Sequence, residues 1–207
     1  MISVLISSFN TDVCHLVRDL SCQLRLLRSP WEILIHDNGT DEDIRRVVAE
    51  KIVNQENTSF YFNQTTSSRS ASRNWLARKA KYEFLLFMDA DAGIVDENFI
   101  SLYLQSSSPD KVIVGGTAYR EERPIERQLL RWKYGRLREA IPAKKRNESP
   151  WSSFSSFNFL VHRSVAIKIP FDESIQEYGH EDTLLGMELR IGAFRYFILR
   201  THYIMMD

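Results

Sequence analysis

Two aspartates separated by one small residue, Asp89-Ala90-Asp91, directly follow a strongly apolar segment, Phe84 to Met88. Residues two apart on an extended chain project to the same side, so both carboxylates face one direction. Such a pair suits Mg²⁺ or Mn²⁺, which prefer oxygen ligands and are commonly held by one or two carboxylates plus substrate phosphates. A nucleotide diphosphate is therefore a natural co-ligand. On the motif alone it is equally open that Asp89 and Asp91 only end a strand and cap a turn.

Polar side chains also follow two earlier apolar segments of the chain. Ser7-Ser8-Phe9-Asn10 follows the first segment, and Asp37-Asn38-Gly39 follows the second. In parallel sheets, ligands gather at the carboxyl ends of the strands, where the loops diverge and helix N-termini face the crevice. The three clusters are therefore predicted to face one cleft.

The chain lacks the glycine-rich loops that grip phosphate in other nucleotide-binding proteins. Neither G-x-x-x-x-G-K-[ST] nor G-x-G-x-x-G follows the first predicted strand, which argues against P-loop enzymes and ordinary dinucleotide-dependent dehydrogenases. A diphosphate would then be held by metal and side chains. Arg73, on the helix before the fourth strand, is a candidate, and Arg69 is a weaker one. A lone arginine is, however, more often a surface residue.

Adjacent carboxylates, Glu181 and Asp182, stand at a predicted helix start, where the helix dipole stabilises their ionised forms. A carboxylate kept ionised near a hydroxyl can accept its proton. The alternative is that both carboxylates only stabilise the N-terminus of the helix and have no part in chemistry. His202 lies just beyond the last predicted strand and would be a ligand only with a metal nearby.

Short apolar runs alternate with amphipathic stretches through the first half of the chain, which predicts strand-helix-strand units and a parallel sheet. The predicted strands are 3–7, 31–36, 60–62, 83–88, 112–114, 157–161 and 194–199. The predicted helices are 13–27, 44–52, 70–81, one starting at Asp96, 165–168, and one from about 180 to 192. A break is expected at Gly115-Gly116, followed by a basic excursion from the sheet over 120–148.

Length and charge limit the classes of protein. The 207 residues suit one α/β domain, and the 27 basic residues balance 27 acidic ones. This balance argues against a protein whose main task is to grip nucleic acid through bulk charge. No apolar run approaches the roughly 20 residues of a membrane-spanning helix, and the N-terminus lacks a secretory leader, so a cytoplasmic protein is expected.

The order and spacing of five motifs resemble glycosyltransferase family 2. They are Ser8-Phe9-Asn10, Asp37-Asn38-Gly39-Thr40-Asp41, Arg73-Asn74, Phe87-Met88-Asp89-Ala90-Asp91, and Phe171-Asp172-Glu173 with the segment Tyr178 to Gly186. The last of these is similar to its galactosyl- and N-acetylgalactosaminyl-transferring members. The resemblance covers most of the chain except 120–148. Two departures are the absence of glycine from Ser67 to Ser72, and His180 where relatives often have a second glycine.

This resemblance implies a single GT-A domain, Rossmann-like, with a mostly parallel mixed central sheet flanked by helices, and a bound Mn²⁺ or Mg²⁺. It also implies a division into a nucleotide-binding half (about 1–116), the excursion, and an acceptor and catalytic segment (150–207). The implied donor-binding residues are Asp37 at the uracil ring, Ser8, Phe9, Asn10 and Asn38 around the base, Arg73 near the nucleotide, and Asp89 at the ribose or donor sugar. The implied metal ligands are Asp91 and His202, the implied base is Asp182, and Glu181 would hold donor or acceptor hydroxyls.

The function expected from this resemblance is inverting transfer of a hexose or N-acetylhexosamine from a UDP-sugar to a glycan or lipid-linked acceptor, in surface polysaccharide or glycoconjugate synthesis. The alternatives are a metal-dependent nucleotidyltransferase and a catalytically silent nucleotide- or glycan-binding module. The excursion could meet anionic lipid at the inner face of a membrane through five cations and two aromatic residues, or could be a solvated helix. These residues are Arg127, Arg131, Lys133, Arg136, Arg138, Trp132 and Tyr134.

Overall fold

The apolar runs of the sequence become the strands of one sheet in the computed structural model, which describes residues 1–63, 67–175, 180–192 and 194–205. The strands are β1 (Ile2–Ser8), β2 (Trp31–Asp37), β3 (Thr58–Phe62), β4 (Phe84–Asp89), β5 (Ala92–Ile94), β6 (Lys111–Ala118), β7 (Asn158–His162) and β8 (Arg195–Met205). The helices are α1 (Cys14–Arg25), α2 (Glu42–Ile52), α3 (Arg69–Lys79), α4 (Phe99–Ser106), α5 (Glu126–Arg138), α6 (Ala143–Arg146), α7 (Arg163–Lys168) and α8 (Glu181–Ile191), with a 3₁₀ turn at Pro150–Ser153.

The described strands form a mixed sheet in the order β3-β2-β1-β4-β7-β6-β8-β5. The β3-β2-β1-β4 group is parallel throughout, and β6 is parallel to β8. The pairings of β7 with β4 and β6, and of β5 with β8, are antiparallel. The predicted α/β class with a mostly parallel, mixed sheet is therefore confirmed.

Helices cover both faces of the sheet, which explains why its central strands have apolar residues at successive positions in their middle. On β1, Val4 and Ile6 pack into the cluster formed with α1, α2 and α4. Leu5, between them, points to the opposite cluster, which contains residues of α3, α7 and α8. Successive residues of a strand alternate between the two faces, so the middle of such a strand is apolar at successive positions. Nearer the strand ends, the buried hydroxyl of Ser3 donates to the buried carboxylate of Glu32 at 2.7 Å.

The structure differs from the sequence prediction in four elements. The last strand, predicted to end at 199, continues to Met205, so His202 lies within β8 and not beyond it. The break predicted at Gly115-Gly116 is wrong, because β6 continues through both glycines, with an irregular register between Val114 and Gly116 where it pairs with β8. The fourth helix begins at Phe99 and not at Asp96, whose carboxylate instead accepts a hydrogen bond from the backbone of Asn98 at 2.8 Å. Strand β5, only three residues long, was not predicted.

The segment 120–148 leaves the sheet between β6 and β7 and contains α5 and α6 but no strand. Among the described helices, none combines the length and the apolar character that crossing a bilayer requires.

The pairing register brings the polar strand ends of the N-terminal half together. Ser8 of β1 lies opposite Asp37 of β2, and Ser7 lies opposite Asp89 of β4. The loops that follow these strands therefore leave the sheet along one edge, where they form the walls of a cavity.

Candidate active site

A cavity of about 390 Å³ opens at this edge of the sheet, between the loops after β1 and β4 and the starts of α3 and α8. Seven of the residues predicted from the sequence line it, namely Ser8, Phe9, Asn38, Arg73, Asp89, Asp91 and Glu181. Asn10, Asp37 and Asp182 are not among its lining residues. His202 lies in β8 with its backbone opposite Gly116, and its side chain lies outside the described part of the chain. The side chain of Asp91 thus shares the cavity with Arg73 and Glu181, which come from distant parts of the sequence.

Arg73 occupies the centre of a buried charge network at the back of the cavity. Its Nη2 donates to Oδ1 of Asp89 at 2.8 Å, and its Nη1 lies 3.5 Å from Oε1 of Glu181. The side chain of Arg73 is only 4% exposed, and its guanidinium lies over the ring of Phe171 at 5.1 Å. The other carboxylate oxygen of Glu181, Oε2, and Nη1 of Arg73 have no hydrogen-bond partner among the described residues. Arg73 therefore links the end of β4 to the start of α8.

Asn74, next to Arg73 on α3, has a supporting role that the sequence did not reveal. Its side chain donates to the carbonyl of Phe171 at 2.8 Å and accepts from the backbone N–H of Phe171 at 2.9 Å. It also donates to the carboxylate of Glu173 at 2.9 Å. The two adjacent residues on α3 therefore have different roles. Arg73 faces the cavity, and Asn74 holds Phe171 and Glu173 in place.

Among the residues that line the cavity, Asp91 has a shifted pKa. Burial raises its pKa above the usual range of an aspartate, and the neighbouring charge of Asp89 raises it further. Arg69 and Arg131 act in the opposite direction but do not cancel these effects. A carboxylate held partly out of water beside a second one is a position where a cation would offset unfavourable charge.

The donor set fits a divalent ion that is shared with a ligand. Among the described residues, no cluster of three or more histidine, cysteine or carboxylate side chains could form a closed metal cage. Asp91 and Asp89 instead offer oxygen ligands on one side of the cavity, and Asp89 is already bound to Arg73. Mg²⁺ and Mn²⁺ accept such partial protein shells when phosphate oxygens complete their coordination.

We expect Asp91→Asn to stabilise the metal-free protein near neutral pH, because it removes a charge whose ionisation is opposed by burial and by Asp89. The expected gain is a few degrees in melting temperature, given that about 1 kcal/mol corresponds to roughly 2–4 °C for a domain of this size. Because the pKa of Asp91 is raised in the folded protein, its ionised carboxylate destabilises the folded state fully only at pH values above that pKa. The gain should therefore shrink as the pH falls through it.

The control for this measurement is Glu97→Gln, which removes an exposed carboxylate outside the cavity. Thermal unfolding of both variants with chelator, over a pH series, tests the prediction. A lower melting temperature for Asp91→Asn at neutral pH would contradict it.

Asp37 and Asn10 brace the loops behind the cavity. The carboxylate of Asp37 is buried and accepts hydrogen bonds from the backbone N–H of Thr40, at 3.2 Å, and from its hydroxyl. Asn10 adopts a left-handed conformation, with φ 49°, and its side chain accepts from the backbone N–H of Asp41 at 3.1 Å. These contacts tie the loop after β1 to the loop after β2.

Asn38 and Phe9 face the cavity at the same end. The Asn38 carbonyl oxygen accepts from the backbone N–H of Ser67 at 2.9 Å and from its hydroxyl at 2.5 Å. This contact joins the end of β2 to the start of α3. The ring of Phe9 is half exposed at the rim, where it offers a flat apolar surface to a planar ligand.

Two residues at the start of α3 were underrated or missed by sequence reasoning. Arg69 lines the cavity, although the sequence ranked it below Arg73. Ser70 also lines the cavity, and its buried hydroxyl has no hydrogen-bond partner among the described residues. Nothing in a short serine-rich segment indicates which serines line a cavity, so this position required the structure.

The start of α8 aims Glu181 and Asp182 in different directions. His180 precedes the helix in a left-handed conformation, with φ 69°, which explains why a glycine would suit this position. Glu181 points into the cavity, while the carboxylate of Asp182 is half-buried and accepts from the backbone N–H of Thr183 at 2.8 Å. Asp182 thus stands beside the cavity and not in its wall.

Comparison with known proteins connects this site to one family. The family model described as Glycosyl transferase family 2 matches residues 3–169. The hyaluronan synthase of Pasteurella multocida is 24% identical over 236 aligned residues, which cover 93% of this chain but 23% of that protein.

Solved structures show the same fold. S. aureus TarS 1–349 in complex with UDP superposes with a TM-score of 0.71 at 19% identity, covering 100% of this chain and 60% of that one. The mannosyltransferase PcManGT from Pyrobaculum calidifontis, in complex with GDP-Man and Mn²⁺, gives 0.66 at 12% identity, covering 98% and 56%. The expected GT-A fold is confirmed, and the chain spans less than two thirds of these relatives. Because the family model covers most of its length, the chain belongs to glycosyltransferase family 2.

Proposed function

We propose that this chain is an inverting, metal-dependent glycosyltransferase that moves a hexose or N-acetylhexosamine from a UDP-sugar to a hydroxyl of a glycan or lipid-linked acceptor. The observation that carries the proposal is the placement of Asp89, Asp91, Arg73 and Glu181 around one cavity at the carboxyl ends of parallel strands. Support for the donor comes from TarS, a neighbour of the same fold that was solved with UDP and with UDP-GlcNAc.

Each part of the cavity would meet a different part of the donor. Phe9 and Asn38 would bound the base, with Ser8 behind them, while Asp37 and Asn10 hold the two loops in place. Asp89, fixed by Arg73, would face the ribose or the sugar. The nucleotide thus belongs to the 1–116 part of the chain and the acceptor to the 150–207 segment.

The ion we infer would be held by Asp91, with Asp89 beside it and His202 as a further ligand, and when bound it offsets the charge that develops on the departing diphosphate. In-line displacement inverts the anomeric carbon: the acceptor hydroxyl forms the new C–O bond while the bond to the diphosphate oxygen breaks. Asp182 would accept the hydroxyl proton, and Glu181 would hold hydroxyls of the donor or acceptor. Each of these effects is typically worth several kcal/mol of barrier.

A second candidate is a nucleotide- or glycan-binding module without turnover. The observation that favours it is the position of Asp182, which lies outside the cavity wall and already accepts a backbone hydrogen bond. Hydrolysis of a bound donor separates the two candidates, because a module would bind UDP and Mn²⁺ without releasing sugar.

The setting of the reaction belongs to the same proposal. We place it in the cytoplasm, at the inner face of a membrane, in the synthesis of a surface polysaccharide or glycoconjugate. Galactose, N-acetylgalactosamine and glucose are the candidate sugars, and discrimination between galactose and glucose depends on the hydrogen bonds of a single hydroxyl.

A thermal-shift screen of nucleotide sugars, with and without Mn²⁺, tests the proposal. We expect a UDP-sugar to raise the melting temperature only when Mn²⁺ is present, because the ion is proposed to hold the diphosphate. A bound ligand at 100 times its Kd adds about 2.7 kcal/mol to the stability of the folded state. In Asp91→Asn this metal dependence should disappear. In Glu97→Gln, which keeps every cavity carboxylate, it should persist. Equal shifts with and without metal in the unmodified protein would contradict the metal assignment.

A further inference from the structure

Helix α5 presents a stripe of apolar side chains to solvent. Leu130 is 81% exposed, Tyr134 57% and Leu137 78%. Their spacing of four and then three residues places them on one side of the helix, since each residue advances the helix by about 100°. Scattered exposed leucines are ordinary on a protein surface, but three large side chains aligned on one helix face form a continuous patch.

The opposite side of α5 is fixed to the protein, so the stripe cannot turn inward. Gly135 is buried against the ring of Tyr119, which leaves no room for a Cβ atom. The indole N–H of Trp132 donates to the carbonyl of Arg120 at 2.7 Å. Arg131 donates to Glu139 at 2.8 Å, and Glu139 also accepts from the hydroxyl of Tyr119. The orientation of α5 about its own axis is therefore set by packing and hydrogen bonds.

Basic side chains border the stripe on both sides. Taking about 100° per residue, Arg127 and Arg138 lie on one flank, and Lys133 lies on the other together with the acidic Glu126 at the start of the helix. The helix as a whole has five cations and one acidic residue, Glu126. An apolar strip between basic flanks is the pattern of helices that lie in the interface of an anionic bilayer.

The structure changes which residues of the excursion could serve this purpose. The sequence pointed to Trp132 together with Tyr134, but Trp132 faces the protein and is covered by the guanidinium of Arg136 at 4.7 Å. Leu130 and Leu137, which the sequence did not single out, take its place beside Tyr134.

We propose that the α5 face formed by Leu130, Tyr134 and Leu137, with Arg127, Lys133 and Arg138 at its edges, docks on the surface of an anionic lipid bilayer. Anionic head groups complement the basic flanks while the apolar stripe enters the head-group region. A symmetric contact between two copies would bring the cationic flanks of one copy against those of the other, which charge repulsion opposes. This inference rests on the membrane setting given under the proposed function but not on its chemistry, and vesicle binding can fail or succeed whether or not the chain transfers sugar.

Vesicle flotation at low salt tests the proposal. The chain is incubated with neutral phosphatidylcholine vesicles or with vesicles that contain phosphatidylglycerol. We expect flotation with the anionic vesicles only. Leu130→Ser/Leu137→Ser and Arg127→Glu/Lys133→Glu should each lower the bound-to-free ratio by about tenfold or more, since both the apolar area and the basic charges contribute to binding.

Matched controls change exposed residues on other helices or beyond their ends. Leu26→Ser removes a leucine that is 82% exposed, and Arg18→Glu/Arg46→Glu reverses two exposed cations. Both should float like the unmodified protein, and circular dichroism should show that all variants fold. The proposal is overturned if the unmodified protein does not float, floats equally with neutral vesicles, or floats undiminished in either α5 variant. It is also overturned if light scattering shows a dimer that the leucine variant dissociates while no vesicle binding occurs.

Discussion

Asp182→Asn is expected to lower the rate of sugar transfer by about 10²–10⁴-fold, the usual contribution of a general base. The asparagine amide has nearly the same shape and can still accept the hydrogen bond from Thr183, but it cannot take a proton from the acceptor hydroxyl. Asp182 does not line the donor cavity, so the binding of UDP with Mn²⁺ should be unchanged. Calorimetry gives the binding, and release of UDP from a UDP-sugar, with water as the acceptor, gives the rate.

Two comparisons make this result specific. Glu188→Gln removes an exposed carboxylate on the same helix and should leave the rate unchanged. Glu181→Gln alters a residue that lines the cavity and is ion-paired to Arg73, so it should weaken donor binding. Near-normal turnover in Asp182→Asn would show that another group accepts the proton of the attacking hydroxyl. If Glu181→Gln then kept full binding and lost turnover, Glu181 would be the base.

The central strands were predictable because burial on both faces leaves a simple pattern. Every residue of β2 is buried, and its apolar centre, Ile33 to Ile35, is enough to predict a buried strand from the sequence. Strand β5 carries no such signal, because three residues with one buried side chain form a strand only when β8 lies beside them. Gly115 and Gly116 mislead for the same reason, since β6 continues through both and the pairing of Gly116 with β8 outweighs the low strand propensity of glycine.

The site was predictable to the extent that it depends on strand ends. Ser8 and Asp89 end parallel strands that lie side by side, and Asp91 follows Asp89 by two residues, so all three come to one edge of the sheet. The sequence could not show where a side chain turns after that point. Asp37 also ends a strand, but its carboxylate turns back to Thr40 because that hydroxyl and backbone N–H lie within reach.

The second large effect is expected for Arg73→Met, which should destabilise the folded state by about 3–5 kcal/mol. Arg73 is buried between Asp89 and Glu181, so its removal leaves two poorly solvated carboxylates without the cation they share. The substitution also removes the guanidinium from above the ring of Phe171. Urea unfolding of the ligand-free protein at neutral pH measures the loss.

Arg78→Met is the matched control, because Arg78 lies on the same helix and pairs with Glu173 at 3.8 Å while its side chain is 58% exposed. An exposed pair of this kind contributes about 0–1 kcal/mol, so Arg78→Met should change the free energy of unfolding very little. Adding Glu181→Gln to Arg73→Met should recover part of the lost stability, because one uncompensated charge is removed. If Arg73→Met cost no more than Arg78→Met, the charge network would not hold β4 to α8. Because that link also orders the cavity wall, the donor site would then need another explanation for its shape.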